Sequence, residues 1–305
     1  MLNRVKNVYD RYGLKRVFFA GVAKALKKSS STLFQIGEYA SLAAGNCKFF
    51  LTQAERGLLQ KNGIFKDKHK GKRCFVIGNG PSLKTQDLSP LTNEITFVMS
   101  AFWKHPLVGK WQPTYYCFVD PFFFDKSEPI REFFKTLTNR IHNSIFFVPI
   151  QAKEIIQEQG LLTLERTYYV AFDHALNENP IRQIELAKRI PYVMTVAQLA
   201  IIIAMYMGCS PIYLLGVDDD YLSHRGVVGH FYDGHAGLEK HPEFYPNLTH
   251  WSYKYLMECQ LKLWRAYEKL QMFSGRNEIR ILNATMGGFL DVFEQTNYEQ
   301  LVRSQ

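Results

Sequence analysis

Short apolar runs recur along this sequence, at residues 74–77, 95–99, 115–119, 145–148, 168–172, 212–217 and 279–282. Each is nearly continuous rather than alternating, which is the pattern of a strand buried on both faces. Between most of them the apolar residues fall at helical spacing, notably over 130–137, 152–159, 180–189, 196–207 and 251–271. Strand and helix in alternation predict an α/β fold: a Rossmann-like open, mostly parallel sheet with helices on both faces. Ligands of such sheets bind beyond the carboxyl ends of the strands. That rule gathers Gly78, Asn79, Gly80, Pro81, Ser82, Ser100, Asp120, Gly216, Asp218 and Tyr221 around one crevice.

Two strand exits stand out. The run Cys74-Phe75-Val76-Ile77 stops at Gly78-Asn79-Gly80-Pro81-Ser82. Such a turn lets backbone approach a ligand closely. Ser82 is placed to cap a short helix whose N–H groups would face a phosphate. An ordinary strand-to-helix turn has the same spacing. Downstream, an apolar segment opened by Thr195 ends at Gly208, and the next strand terminates in Gly216-Val217-Asp218-Asp219-Asp220-Tyr221. Three acids at a strand end suit Mg²⁺ or ribose recognition, with Asp218 the foremost candidate and Asp219 and Asp220 equally readable as solvated loop residues.

Charge divides the chain. Residues 1–73 hold 16 Lys and Arg against 4 Asp and Glu, whereas the whole chain holds 37 against 28. The excess of positive charge therefore belongs to the first quarter, and the remainder is no general nucleic-acid binder. Within it, Val5, Val8, Tyr12, Val17, Phe18, Val22 and Leu26 alternate with basic residues at near-helical spacing. Such a helix docks on an anionic membrane surface, or packs on the catalytic domain or a second subunit in a homo-oligomer. A second helical segment is expected over 33–59 and a charged linker over 61–73. The expected organisation is a basic helical segment, 1–70, followed by a Rossmann-like domain, 71–305.

The start lacks the continuous apolar core and cleavage site of a signal peptide. The longest apolar stretch, 193–207, contains Thr195 and Gln198 and is too short for a membrane span. The five cysteines, at 47, 74, 117, 209 and 259, show no Cys-x-x-Cys spacing and read as reduced thiols of a cytoplasmic protein.

The Ile77-Gly-Asn-Gly-Pro-Ser-Leu83 run, joined to Met207-Gly-Cys-Ser-Pro-Ile-Tyr-Leu-Leu-Gly-Val-Asp218, resembles the bacterial superfamily that contains the family-42 sialyltransferases and the MptE-like (6-hydroxymethylpterin pyrophosphokinase-like) proteins. The stretch Ile281-Leu-Asn-Ala-Thr-Met-Gly-Gly-Phe-Leu-Asp-Val-Phe293 resembles the MptE-like proteins of surface-polysaccharide gene clusters. The resemblance covers roughly residues 70–300. It implies an inverting transferase that uses a CMP-linked sugar, sialic-acid- or Kdo-like, and needs no metal cofactor.

Carried over residue by residue, the resemblance puts Asn79, Gly80 and Ser82 on the nucleotide and its phosphate, and Thr195 on the donor. Tyr221 matches a tyrosine that hydrogen-bonds the departing phosphate, and His250 is the positional match for the base. His230, His235 and His241 share the loop at 225–250 with Phe231, Tyr232, Phe244 and Tyr245, which reads as a lid over the acceptor. Ser100 and Asp120 stand where the sialyltransferases carry asparagines. Asp120 beside Asp218 therefore keeps open a second expectation, a Mg²⁺-dependent pyrophosphokinase acting with ATP on a hydroxymethyl substrate. A non-catalytic assembly protein is the third. The leading expectation is a cytoplasmic, membrane-peripheral transferase with a nucleotide-sugar donor and a glycan or lipid-linked acceptor.

Overall fold

The computed structural model describes residues 51–223, 229–232 and 252–303. The chain divides into two units, Met1–Thr52 and Gln53–Gln305, and the architecture below is that of the second. The basic amphipathic segment expected before residue 51 lies outside the described residues.

Among the described residues nine strands form one sheet: β1 Cys74–Ile77, β2 Ile95–Met99, β3 Tyr115–Cys117, β4 Ile145–Pro149, β5 Thr167–Ala175, β6 Arg189–Tyr192, β7 Ile212–Leu215, β8 Ile281–Asn283 and β9 Glu294–Gln295. The described helices are α1 Gln53–Gln60, α2 Glu128–Arg140, α3 Lys153–Gln159, α4 Val196–Tyr206, α5 Tyr253–Arg276 and α6 Tyr298–Arg303. The strand order is β6-β5-β4-β3-β2-β1-β7-β8-β9, and every pairing is parallel. This is the α/β architecture that the apolar runs predict. From β1 the chain steps outward strand by strand to β6, then returns through α4 to lay β7 on the other side of β1. Strand order thus reverses between β1 and β7, which is where open sheets of this kind leave a crevice.

Both faces of the sheet are covered. Cys74 and Val76 of β1 join one core cluster with the whole of α4 and the inner face of α5. On the other face Phe75 stacks on Tyr213, and Phe118 and Phe123 pack against Phe133 of α2. All eleven residues of α4 are buried, as the stretch's apolar sequence predicts. Its N-terminus is held by two side-chain bonds. Thr195 Oγ1 accepts from Gln198 N (3.4 Å) while Gln198 Oε1 accepts from Met194 N (2.9 Å). Among the described residues no helix is long and apolar enough to cross a membrane.

Three expectations change. Residues 61–73 are not a free linker: Asp67 N, His69 N and Gly71 N donate to the carbonyls of Tyr206, Met207 and Gly208, satisfying the end of α4. Phe65 packs edge-on against Phe147 and Tyr168, so the sheet's unit begins at Gln53 rather than near residue 70. The helix expected over 180–189 is irregular chain leading into β6. Asn62 Nδ2, itself buried, donates to Tyr169 O (2.7 Å) and Leu186 O (2.8 Å), tying that chain to β5. The spacing of buried Ile181, Ile184 and Leu186 is helical only for its first step. Finally, α5 starts at Tyr253, Ser252 Oγ accepting from Tyr255 N as its cap, and runs to Arg276.

Candidate functional site

At the carboxyl edge, the exits of β1, β2, β3 and β7 enclose a cavity of about 540 Å³ together with the start of α4 and one stripe of α5. Gly78, Asn79, Gly80, Pro81, Ser100, Asp120, Thr195, Gly216, Asp218, Tyr221 and His230 all line it. Residues as far apart in sequence as Gly78 and His230 thus meet at one place, and the strand-end rule holds.

The exits of β1 and β7 are interlocked. Gly78 N donates to Leu215 O (2.7 Å) and Gly80 N to Gly216 O (2.8 Å), extending the β1–β7 pairing past the strand ends. A Cβ on Gly78 would sit 2.2 Å from Gly216 O, and one on Gly80 would sit 1.7 Å from Asp218 Oδ2. Both glycines are therefore required by the neighbouring strand's turn. A ligand's approach is not needed to explain them.

Ser82 departs from expectation. Its N–H donates to Asp218 Oδ1 (3.1 Å) and its hydroxyl to Asp218 Oδ2 (2.9 Å). The Pro81–Lys84 turn is a short 3₁₀ helix, and the N–H expected to face a phosphate is taken by the protein's own carboxylate. Ser82 is not among the residues that line the cavity. Asp218 accordingly ties the two turns together. Phe289 N donates to its carbonyl (2.8 Å), locking it from the β8 side as well.

Asn79 faces the cavity with one hydrogen-bonding group spare. Its Nδ2 donates to Met99 O (3.1 Å), and its backbone carbonyl accepts from Phe231 N (2.9 Å). Its Oδ1 is buried with no partner among the described residues. A buried acceptor at a cavity wall is what a donor on a ligand would satisfy. The bond to Phe231 also pins residues 229–232 beside the β1 exit. There His230 stacks on Tyr232 with ring centres 4.8 Å apart, and Lys104 Nζ lies 5.1 Å from the Tyr232 ring. Tyr232 stands behind His230 and does not line the cavity.

Two non-glycine lining residues hold left-handed backbone, Ser100 and Asp219, each at φ +48. Such strain at non-glycine positions is held in place by the surroundings. Tyr116 donates its hydroxyl proton to Ser100 O (2.7 Å), and Gln260 Nε2 donates to Asp219 O (3.1 Å). Asp219 also hydrogen-bonds Tyr267, whose hydroxyl lies 3.4 Å from Thr195 Oγ1.

The electrostatics are acidic throughout. Burial pushes Asp120 up to about 6 and Asp219 up to about 7, the latter against the bond from Tyr267 and with the neighbouring Asp218 and Asp220 adding to the rise. Burial also raises Asp218, although its bonds from Ser82 oppose the shift. The Tyr221 phenol is raised by burial and stays protonated at neutral pH. Asp220 lines the cavity too, and no Lys or Arg does among the described residues. No three His, Cys, Asp or Glu side chains among the described residues come together as a metal-holding group.

Sequence reasoning missed the wall made by α5: Leu256, Cys259, Leu263 and Tyr267. They occupy the apolar face of a helix read only as cover for the sheet. Tyr267 and Gln260, polar groups on that buried face, are the signal that marks it. His250, His235, His241, Phe244 and Tyr245 lie outside the described residues.

No protein-family model and no curated protein matches this chain. Solved structures similar to it include the sialyltransferase CstII from Campylobacter jejuni in complex with the substrate analogue CMP-3FNeuAc, 17% identical over 73% of this chain and 85% of that one, with a TM-score of 0.43. The same transferase in complex with a trisaccharide acceptor and CMP is 16% identical over the same shares, with a TM-score of 0.45. The MAf glycosyltransferase from Magnetospirillum magneticum is 12% identical over 94% of this chain, which spans about half of that protein (48%), with a TM-score of 0.45.

Proposed function

We propose that this chain is an inverting glycosyltransferase that moves a sugar from a nucleotide-activated donor, CMP-linked, to a hydroxyl of a surface-glycan or lipid-linked acceptor. One observation carries the proposal. The glycine turn, Ser100, Asp120, Thr195 and Tyr221, singled out as a nucleotide site from sequence, line a single cavity large enough for a nucleoside phosphate and its sugar.

In this reading the nucleotide lies along the β1 and β7 exits, with Asn79 Oδ1 accepting a hydrogen bond from it. The acceptor hydroxyl attacks the anomeric carbon from the face opposite the phosphate. A new C–O bond forms as the bond from that carbon to the phosphate oxygen breaks, and the nucleotide leaves with the electron pair. A histidine takes the hydroxyl proton, since a neutral imidazole has a pKa suited to that step. His250 is the candidate, with His230 at the cavity wall as the alternative. Tyr221, protonated at neutral pH, donates to the phosphate as negative charge gathers there. The protein would work in the cytoplasm, its basic residues 1–60 holding it against the anionic inner face of the membrane.

The acidic lining favours a second reading, the Mg²⁺-dependent transfer of diphosphate from ATP. Four aspartates and no Lys or Arg among the described residues line the cavity, and a divalent cation would offset their repulsion of a phosphate. Mg²⁺ is commonly held by one or two carboxylates plus substrate phosphates. Asp120 is the more available of the expected pair, because both Asp218 oxygens accept from Ser82. Titration of CMP, UDP, GDP and ATP, with Mg²⁺ and with EDTA, separates the readings. CMP binding that ignores EDTA supports the transferase, and metal-dependent ATP binding supports the kinase. Failure of every nucleotide to bind leaves the non-catalytic assembly protein.

A further inference from the structure

A second cavity, of about 300 Å³, lies beside β8 and β9 and shares no lining residue with the first. Its walls come from Thr85 and Gln86 after the β1 turn, Thr285 and Met286 after β8, and Asn297 and Tyr298 at the start of α6. The two cavities are neighbours through one bond: Thr285 Oγ1 accepts from Val217 N (3.2 Å), and Val217 lines the first.

One of its lining side chains carries a buried group that lacks a partner among the described residues. Gln86 is 8% exposed. Its Nε2 donates to Ala284 O (3.0 Å), which fixes the amide, while its Oε1 is buried with no hydrogen-bond partner among the described residues. Such an acceptor is satisfied by an O–H or N–H from whatever enters. Thr285, its oxygen already accepting from Val217, has its own proton to give in return.

The charges around this cavity disfavour an anion. Arg303 is paired with Glu299 (3.0 Å). Asp87 remains a carboxylate, held below its usual range by the N–H and hydroxyl of Ser89. The remaining wall is apolar, from Pro90, Val302 and the ring of Tyr298, which is anchored by its hydroxyl on Asp87 O (2.6 Å). Hydroxyl and amide groups beside an aromatic and aliphatic wall match a ring with O–H groups at its edge and C–H groups on its face.

From this we infer that the second cavity binds a neutral sugar residue, a remote unit of the glycan acceptor. Its identity as part of the acceptor rests on the transferase reading; the binding itself does not.

The test uses the full chain, with glucose, galactose, N-acetylglucosamine and short neutral oligosaccharides as probes. Binding is followed by saturation-transfer NMR and calorimetry. Wild type binds at least one of them. Gln86→Met, which removes the acceptor, and Val302→Trp, which fills the space from a half-buried position, each weaken it about tenfold or more. Nucleotide binding in the first cavity is unchanged in both variants. Absence of any sugar signal in wild type, or equal affinity in a folded Val302→Trp variant, overturns the inference. Sugar binding that survives the loss of all nucleotide binding defeats the transferase reading alone.

Discussion

Replacing Gly80 with alanine separates what the protein needs at the β1 exit from what a ligand needs. The added methyl would lie 1.7 Å from Asp218 Oδ2, 2.4 Å from its Cγ and 2.7 Å from Gly216 O. None of these separations is tolerable, so the carboxylate must move. It cannot move without losing Ser82 N (3.1 Å) and Ser82 Oγ (2.9 Å). Forcing a methyl into a packed interior costs about 1–3 kcal/mol. Disrupting hydrogen bonds to a charged acceptor adds about 1.5–3 kcal/mol for each one not remade. With one of the two bonds remade, the expected loss is about 3–6 kcal/mol out of a total stability on the order of 5–15 kcal/mol. For a domain of this size that corresponds to a fall in Tm of about 6–24 °C. Gly109→Ala is the control, because a Cβ there meets nothing within 4 Å. Both variants are melted without nucleotide, by circular dichroism or calorimetry. If Gly80→Ala melts with wild type and loses only nucleotide binding, the glycine serves the ligand and the interlocked-turn account is wrong.

Three further outcomes are expected. Asp120 and Asp219 titrate near 6 and 7 in the folded protein, above the usual carboxylate range, so the native state holds protons that the unfolded chain has released. Their contribution is fully present below about pH 4 and is lost as pH rises through about 7. Asp120→Asn with Asp219→Asn should flatten this decline in melts from pH 4 to 8, and an unchanged profile would show that neither group is buried as described. Ser100 holds φ +48, so Ser100→Gly should stabilise the protein by about 1 kcal/mol in urea unfolding, and a loss of stability would show that the hydroxyl, not the backbone, matters there. For the chemistry, His250→Ala should abolish transfer while leaving donor affinity intact. Full activity in that variant would move the base to another residue, with His230 next to be tested.

The fold was legible because a doubly covered parallel sheet demands nearly continuous apolar strands, whose shortness tells them from buried helices. Edge strands escape that logic. β6 has half-buried Arg189 and Tyr192 at its ends, and β9 is two exposed residues. The 180–189 segment was read as a helix because two of its three buried aliphatics fall at helical spacing. The long-range bond from Asn62 that ties it to β5 leaves no local trace. At the site, the glycines and acids were visible as types, but their roles were not. Nothing in the order Gly-Asn-Gly-Pro-Ser reveals that an aspartate 136 positions away takes the Ser82 N–H and hydroxyl. The α5 wall was hidden for the opposite reason: its side chains serve the core and the cavity at once.

The central claim is that a nucleoside phosphate binds where strand order reverses between β1 and β7. Hydrogen exchange of the full chain in EDTA, with and without CMP, tests it most directly. Slowed exchange at the amides of residues 78–82 and 216–221, appearing together on adding CMP, is the predicted result. Binding that protects neither segment, or protects only one of them, would contradict it.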